Sequence, residues 1–176
     1  PKLVIPNEVV REQIYTYLLD NYHDNHLDAD PYRLGQLEEN MAYDGDFQPF
    51  FRYIADSIHT YASQRDRQKG EAFVHGYTLA LTSQCRFYRP ISELDNQGGY
   101  ADIFLRPHYE IFTDMAHSYI IELKYLKSPA TDAQVAAAVS EAKAQVCRYA
   151  DTVNVGKQIG QTALHKVYVV YRGVEM

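Results

Sequence analysis

Three charged residues stand where a buried β-strand should carry something apolar. Asp102 lies in the run Gly99-Tyr100-Ala101-Asp102-Ile103-Phe104-Leu105, and Glu122 and Lys124 lie in Tyr119-Ile120-Ile121-Glu122-Leu123-Lys124-Tyr125. Side chains alternate between the two faces of a strand. Tyr100, Asp102 and Phe104 therefore share one face, and Ile120, Glu122, Lys124 and Leu126 share another. Each charge is flanked by hydrophobes on its own face, unlike the charges of a solvated strand. Burying an unpaired charge costs roughly several kcal/mol, so these groups need one another, a metal ion or a polar ligand. Two carboxylates and an ammonium suit a hard divalent cation with a water to be oriented or deprotonated. The structural alternative is a buried ion pair that fixes strand register.

The elements that must position these groups follow from periodicity. Asn7 can cap a helix with the stripe Val10, Ile14, Tyr17 and Leu18. After a polar turn from Asn21 to Asp30, Leu34, Leu37 and Met41 predict a second helix ended by Asp44-Gly45. A third carries Asp46 as its expected cap and Phe47, Phe50, Ile54, Ile58 and Tyr61 on one side. Ser63 to Gly70 reads as a charged, exposed connection. A fourth helical stretch carries Phe73, Tyr77, Ala80 and Leu81 and leads into strand-like runs at Arg86–Leu94, Tyr100–Arg106 and Ser118–Leu126. Their short turns predict an antiparallel meander, with Pro90 placing the first run at an edge or bulge. Thr131 and Gln134 form a capping box for a long helix with the stripe Val135, Val139, Ala142, Val146 and Tyr149. The final run, Val167-Tyr168-Val169-Val170-Tyr171, is apolar on both faces and predicts a fully covered strand beyond a crossover.

Composition bounds the rest. The chain has 176 residues, 46% of them apolar, enough for one domain with a real core. No apolar run reaches the roughly 20 residues that cross a membrane, and no charged-then-apolar leader precedes the first helix, so a cytoplasmic protein without a membrane partner is expected. Cys85 and Cys147 form neither a disulfide framework nor a CxxC pair and are expected to pack as small hydrophobes. The net charge of −6 argues against gripping a polyanion by bulk electrostatics. The acidity lies in residues 1–85, with 7 Lys/Arg against 13 Asp/Glu, while residues 86–176 hold 10 of each. The chain opens at Pro1 without an initiating methionine, and a longer protein with an upstream domain is expected.

The order helix, three strands, helix, strand, with Asp102 followed by Glu122-Leu123-Lys124, resembles the PD-(D/E)xK nuclease superfamily. Ser92 through Asp102, Ile120 through Lys124 and Ala142 through Tyr149 resemble one branch of it, nuclease-like domains found C-terminal to AAA-ATPase-like domains in bacterial proteins. Ile5-Pro6-Asn7-Glu8-Val9-Val10 is similar to the segment leading from such ATPase parts. Where many relatives carry Arg after the strand glycine, this chain has Tyr100. The resemblance implies an α/β (α+β) fold, a restriction-endonuclease-like αβββαβ core with a mixed sheet over residues 67–176. Residues 1–66 would form a small helical part linking it to the ATPase-like domain.

What the resemblance implies chemically is nucleic-acid phosphodiester hydrolysis, DNA first, with Mg2+ or Mn2+ held by Asp102, Glu122 and the Leu123 carbonyl, and Lys124 orienting or deprotonating water. Desolvation would lower the lysine's pKa, while the carboxylates pull the other way. A non-catalytic nucleic-acid- or partner-binding module of the same fold is the alternative, and a homodimer is left open. Supporting positions are Glu71 on the first core helix, Glu93 on the first strand, and Gln145 and Tyr149 on the long helix. Each has a plainer reading: Glu71 with His75 as a surface helix pair, Glu93 as a solvated carboxylate near a turn, Gln145 as a helix shoulder, and Tyr149 as core. His23, Asp24, His26, Asp28 and Asp30 read as a solvated loop rather than a metal cluster.

Overall fold

The computed structural model describes residues 29–62, 70–96, 99–151 and 153–176, together with six positions between 10 and 20; the side chains of residues 93–100, Val153 and Asn154 are outside that description. Most of the first expected helix, including Asn7 and Leu18, lies outside the described residues, as do His23, Asp24, His26 and Asp28. The elements are α1 (Pro31–Asp44), α2 (Gln48–Tyr61), α3 (Glu71–Ser83), β1 (Tyr88–Asn96), β2 (Gly99–Pro107), β3 (His117–Leu126), α4 (Asp132–Ala150), the single turn α5 (Val153–Gly156) and β4 (Ala163–Arg172). The sheet order is β1-β2-β3-β4, with antiparallel pairing up to β3 and β4 parallel to β3. This is an α+β fold with a mixed sheet, as the sequence predicts.

Local chemistry explains most boundaries. Asp30, counted with the polar loop, caps α1: its carboxylate accepts from the amides of Tyr32 (2.9 Å) and Arg33 (3.3 Å), and Pro31 follows with its φ already helical. Gly45 ends α1 in the left-handed conformation (φ 73°), as the Asp44-Gly45 pair predicts. Asp46 is not the cap of α2. The helix starts after Phe47, which has no side-chain cap and instead packs its ring edge-on against Phe51 and Tyr119. The capping box of α4 is present, with Gln134 Nα bonded to Thr131 Oγ1 and Thr131 Nα to Gln134 Oε1.

The sheet divides two cores. Ile103, Leu105, Tyr119, Ile121, Leu123, Val167, Val169 and Tyr171 pack with α1, α2 and α3, and Tyr119 donates its hydroxyl to the Met41 carbonyl (2.8 Å). The helices of residues 31–61 thus share their apolar core with the strands. On the other face Phe104 and Ile120 meet Val146 and Tyr149 of α4. β1 and β4 are the edges. That suits Pro90, but it corrects the expectation of a fully covered last strand: Val167, Val169 and Tyr171 are buried while Tyr168 is 41% exposed. An apolar residue on an edge strand's outer face reproduces the two-faced pattern of a covered one. No described helix is long and apolar enough to cross a membrane.

Among the described residues Glu38 of α1 is the one buried carboxylate away from β3. Burial pushes its pKa up to about 7, although the Cys85 thiol, the amides of Arg86 and Phe87 and the Arg86 charge all favour the ionised form. An unfolded glutamate ionises near 4.5, so the folded state binds this proton more tightly. The group is neutral to stability below that value, costs progressively more as pH rises to 7, and costs a constant amount above, about 3 kcal/mol. Glu38→Gln should therefore gain about that much relative to the parent between pH 4 and pH 8, measured as the difference between their urea unfolding free energies. A difference that does not change with pH would contradict this assignment.

Candidate active site

The antiparallel ladder between β2 and β3 pairs Ile103 with Ile121, Phe104 with Ile120 and Leu105 with Tyr119. One residue beyond it, a side chain replaces the backbone partner: Asp102 Oδ2 accepts the Leu123 amide at 2.7 Å. The Asp102 backbone is held separately, because His75 Nε2 donates to its carbonyl oxygen at 3.1 Å and lies 3.4 Å from Ser92 Oγ. A carbonyl only accepts, so Nε2 carries the proton and is not open to a metal, and His75 ties α3 to β2 at this point.

Glu122 is 3% exposed. Its Oε1 pairs with Lys124 Nζ at 3.3 Å, and its Oε2 is buried with no hydrogen-bond partner among the described residues. Burial pushes its pKa up to about 7, the Asp102 carboxylate adds to the rise, Lys124 opposes it, and Glu71 contributes a last, smaller push. Asp102, Lys124 and Glu71 therefore all act on Glu122. Glu71 itself is exposed at the first turn of α3, whose start is pressed onto β3 by Gly70. That glycine is buried, not exposed as the sequence suggested, and holds φ 58° where a Cβ would meet the Tyr125 ring at 3.1 Å.

At Lys124 the two opposing influences named from the sequence resolve in favour of the carboxylates. Burial works against its charge, but Glu122 and Glu141 outweigh it and its pKa is raised, so it is an ammonium. Glu141, on α4 at 3.5 Å from Nζ, was missed in the sequence. The available signal was its place one turn before Gln145, since a helix that turns Gln145 toward the sheet turns Glu141 the same way. Gln145 is half-buried with Oε1 unpartnered among the described residues. Tyr149 is 7% exposed in the core beneath, with Arg148 over its ring at 5.9 Å. The Glu93 side chain lies outside the described residues, although its backbone belongs to β1.

Among the described residues no three His, Cys, Asp or Glu side chains form a group that could hold a metal ion. The donors present are all hard oxygens: Asp102, Glu122 with an oxygen to spare, and the Leu123 carbonyl between Glu122 and Lys124. That set matches a hard divalent cation in kind, with water completing its shell.

A mixed sheet with β1–β3 antiparallel, β4 returned parallel by a helix, and acidic residues on the two central strands is a restriction-endonuclease-like arrangement. Residues 69–176 match the PD-(D/E)XK nuclease superfamily, and the chain belongs to it. No curated protein and no solved structure gives a match.

The Asp102–Leu123 bond sets one prediction. Asp102→Asn keeps an acceptor for the amide and should stay within about 1 kcal/mol of the parent, whereas Asp102→Ala strands a buried N–H and should cost about 1–3 kcal/mol in chemical denaturation. Equal stability of the two variants would show that the bond is not what holds this end of β3.

Proposed function

We propose that this domain is a divalent-metal-dependent nuclease hydrolysing nucleic-acid phosphodiester bonds, with DNA as substrate, working in the cytoplasm as the C-terminal module of an ATPase-like protein. Membership of the nuclease superfamily supports the reaction class. The single observation that carries the reading to particular residues is Glu122, a buried carboxylate with one oxygen on Lys124 and the other unpartnered, beside Asp102.

In this reading Asp102, Glu122 and the Leu123 carbonyl would hold Mg2+ or Mn2+. The cation, when bound, supplies Lewis-acid polarisation of the phosphoryl group and eases deprotonation of a water. Lys124 orients that water and stabilises negative charge developing on phosphate oxygens, a role its ammonium form suits better than that of a general base. Gln145 offers its amide to the phosphate from α4, Tyr149 supports it from the core, and Glu71 adds negative charge near Glu122, with Glu93 of β1 kept as a supporting position.

The nuclease is tested on labelled single- and double-stranded DNA and RNA in Mg2+ or Mn2+. The parent should cleave and stop with EDTA, and Lys124→Ala and Glu122→Gln should each lose about 100-fold or more. Cleavage persisting in both variants, or absent from the parent under every metal, would sink the proposal.

The net charge of −6, with the acidity in residues 1–85, favours a second reading, a binding module of the same fold that does not cut. It is distinguished by a parent that binds DNA without cleaving it and by a Lys124→Met variant that binds as the parent does.

A further inference from the structure

The Lys124 ammonium touches two carboxylates that differ in their access to solvent. Glu122 Oε1 is 3.3 Å away on a side chain 4% exposed, and Glu141 Oε1 is 3.5 Å away on a side chain 63% exposed, while Lys124 itself is 20% exposed. The inner partner sits on β3 and the outer on α4, so Glu141 stands on the solvent side of the ammonium. A phosphodiester oxygen seeks the same N–H donors as a carboxylate oxygen and carries the same sign of charge. A nucleic-acid backbone approaching Lys124 therefore meets Glu141 first.

Nothing in the packing obliges Glu141 to stay. α4 is anchored by Ala138, Ala142, Val146 and Tyr149, which leaves its backbone fixed while the exposed side chain can turn into solvent. Ion pairs with so exposed a partner are weak, so the contact opens at little cost. With it closed, the only ammonium reaching Glu122 among the described residues is shared between two carboxylates, and the Asp102 carboxylate lies close enough to act on Glu122 as well.

We propose that Glu141 is a self-inhibitory gate: in the free protein it occupies the position on Lys124 that a phosphodiester oxygen takes, and nucleic acid binds by displacing it. This rests on the nuclease reading of the same site, and it adds a residue outside the Asp102, Glu122, Lys124 and Gln145 set. The gate weakens binding to any polyanion without altering the donors that face a cation.

The test is binding of a short fluorescein-labelled DNA, single-stranded and duplex, followed by anisotropy at fixed salt, with EDTA and with Ca2+. The full chain is compared with Glu141→Gln, with Lys124→Met, and with the double variant; Glu141→Ala serves as a second opening mutation. Opening the gate should tighten binding about fivefold in the parent background and give no gain when Lys124 is Met. Unchanged or weaker binding on opening, or an equal gain without Lys124, would overturn the gate, the latter by showing a diffuse charge effect. Cleavage by the same proteins separates the two claims. Lys124-dependent tightening without cleavage keeps the gate and removes the nuclease, cleavage without that dependence removes the gate alone, and no binding by any of the proteins removes both.

Discussion

The bond from the Leu123 amide to the Asp102 carboxylate is the constraint on which the site depends. Below it β2 and β3 pair in register through Ile103 and Ile121, and at this point the side chain of one strand replaces the backbone of the other. That substitution brings a carboxylate to the Glu122 position without burying an orphan amide. His75 completes it from α3 by holding the Asp102 carbonyl, so the residue is tied at both its side chain and its backbone. The apolar cores on either face of the sheet make the strands rigid enough for these two bonds to set a position rather than follow one.

Electrostatics then decides what each group is. Glu122 is pushed toward neutrality by burial and by Asp102, and Lys124 is held charged by Glu122 and Glu141. The surplus is negative, and the whole chain at −6 adds to it. A polyanion is not drawn here by the field of the protein. It must be received by local geometry or by a cation among the oxygens. The same surplus would give Glu141 its leverage, as one further carboxylate on the ammonium that pairs with Glu122.

Much of this was legible because it follows from period and parity. Asp102, Glu122 and Lys124 stood out through their apolar flanks, and the parity that put Glu122 and Lys124 on one face is the parity that lets them pair. The capping box at Thr131 and the break at Gly45 were equally readable, since each is local chemistry. What escaped was long-range. The spacing of Glu141 from Gln145 gives its face of the helix but not that Lys124 is the group opposite, and nothing near His75 points to the Asp102 carbonyl 27 residues away. Phe47 displaced Asp46 at the start of α2 because tertiary aromatic packing outweighed a local cap. The last strand misled for a related reason: exposed Tyr168 on an edge has the same composition as a buried tyrosine in a covered strand.

The proposed cation site joins Asp102 and Glu122 beside Lys124. It is tested most directly by titrating Mn2+ into the isotope-labelled domain and mapping which backbone amides broaden. Broadening centred on Ala101–Ile103 and Glu122–Lys124, and lost in Glu122→Gln, is the predicted result. Broadening centred elsewhere, or the same pattern surviving that substitution, would contradict it.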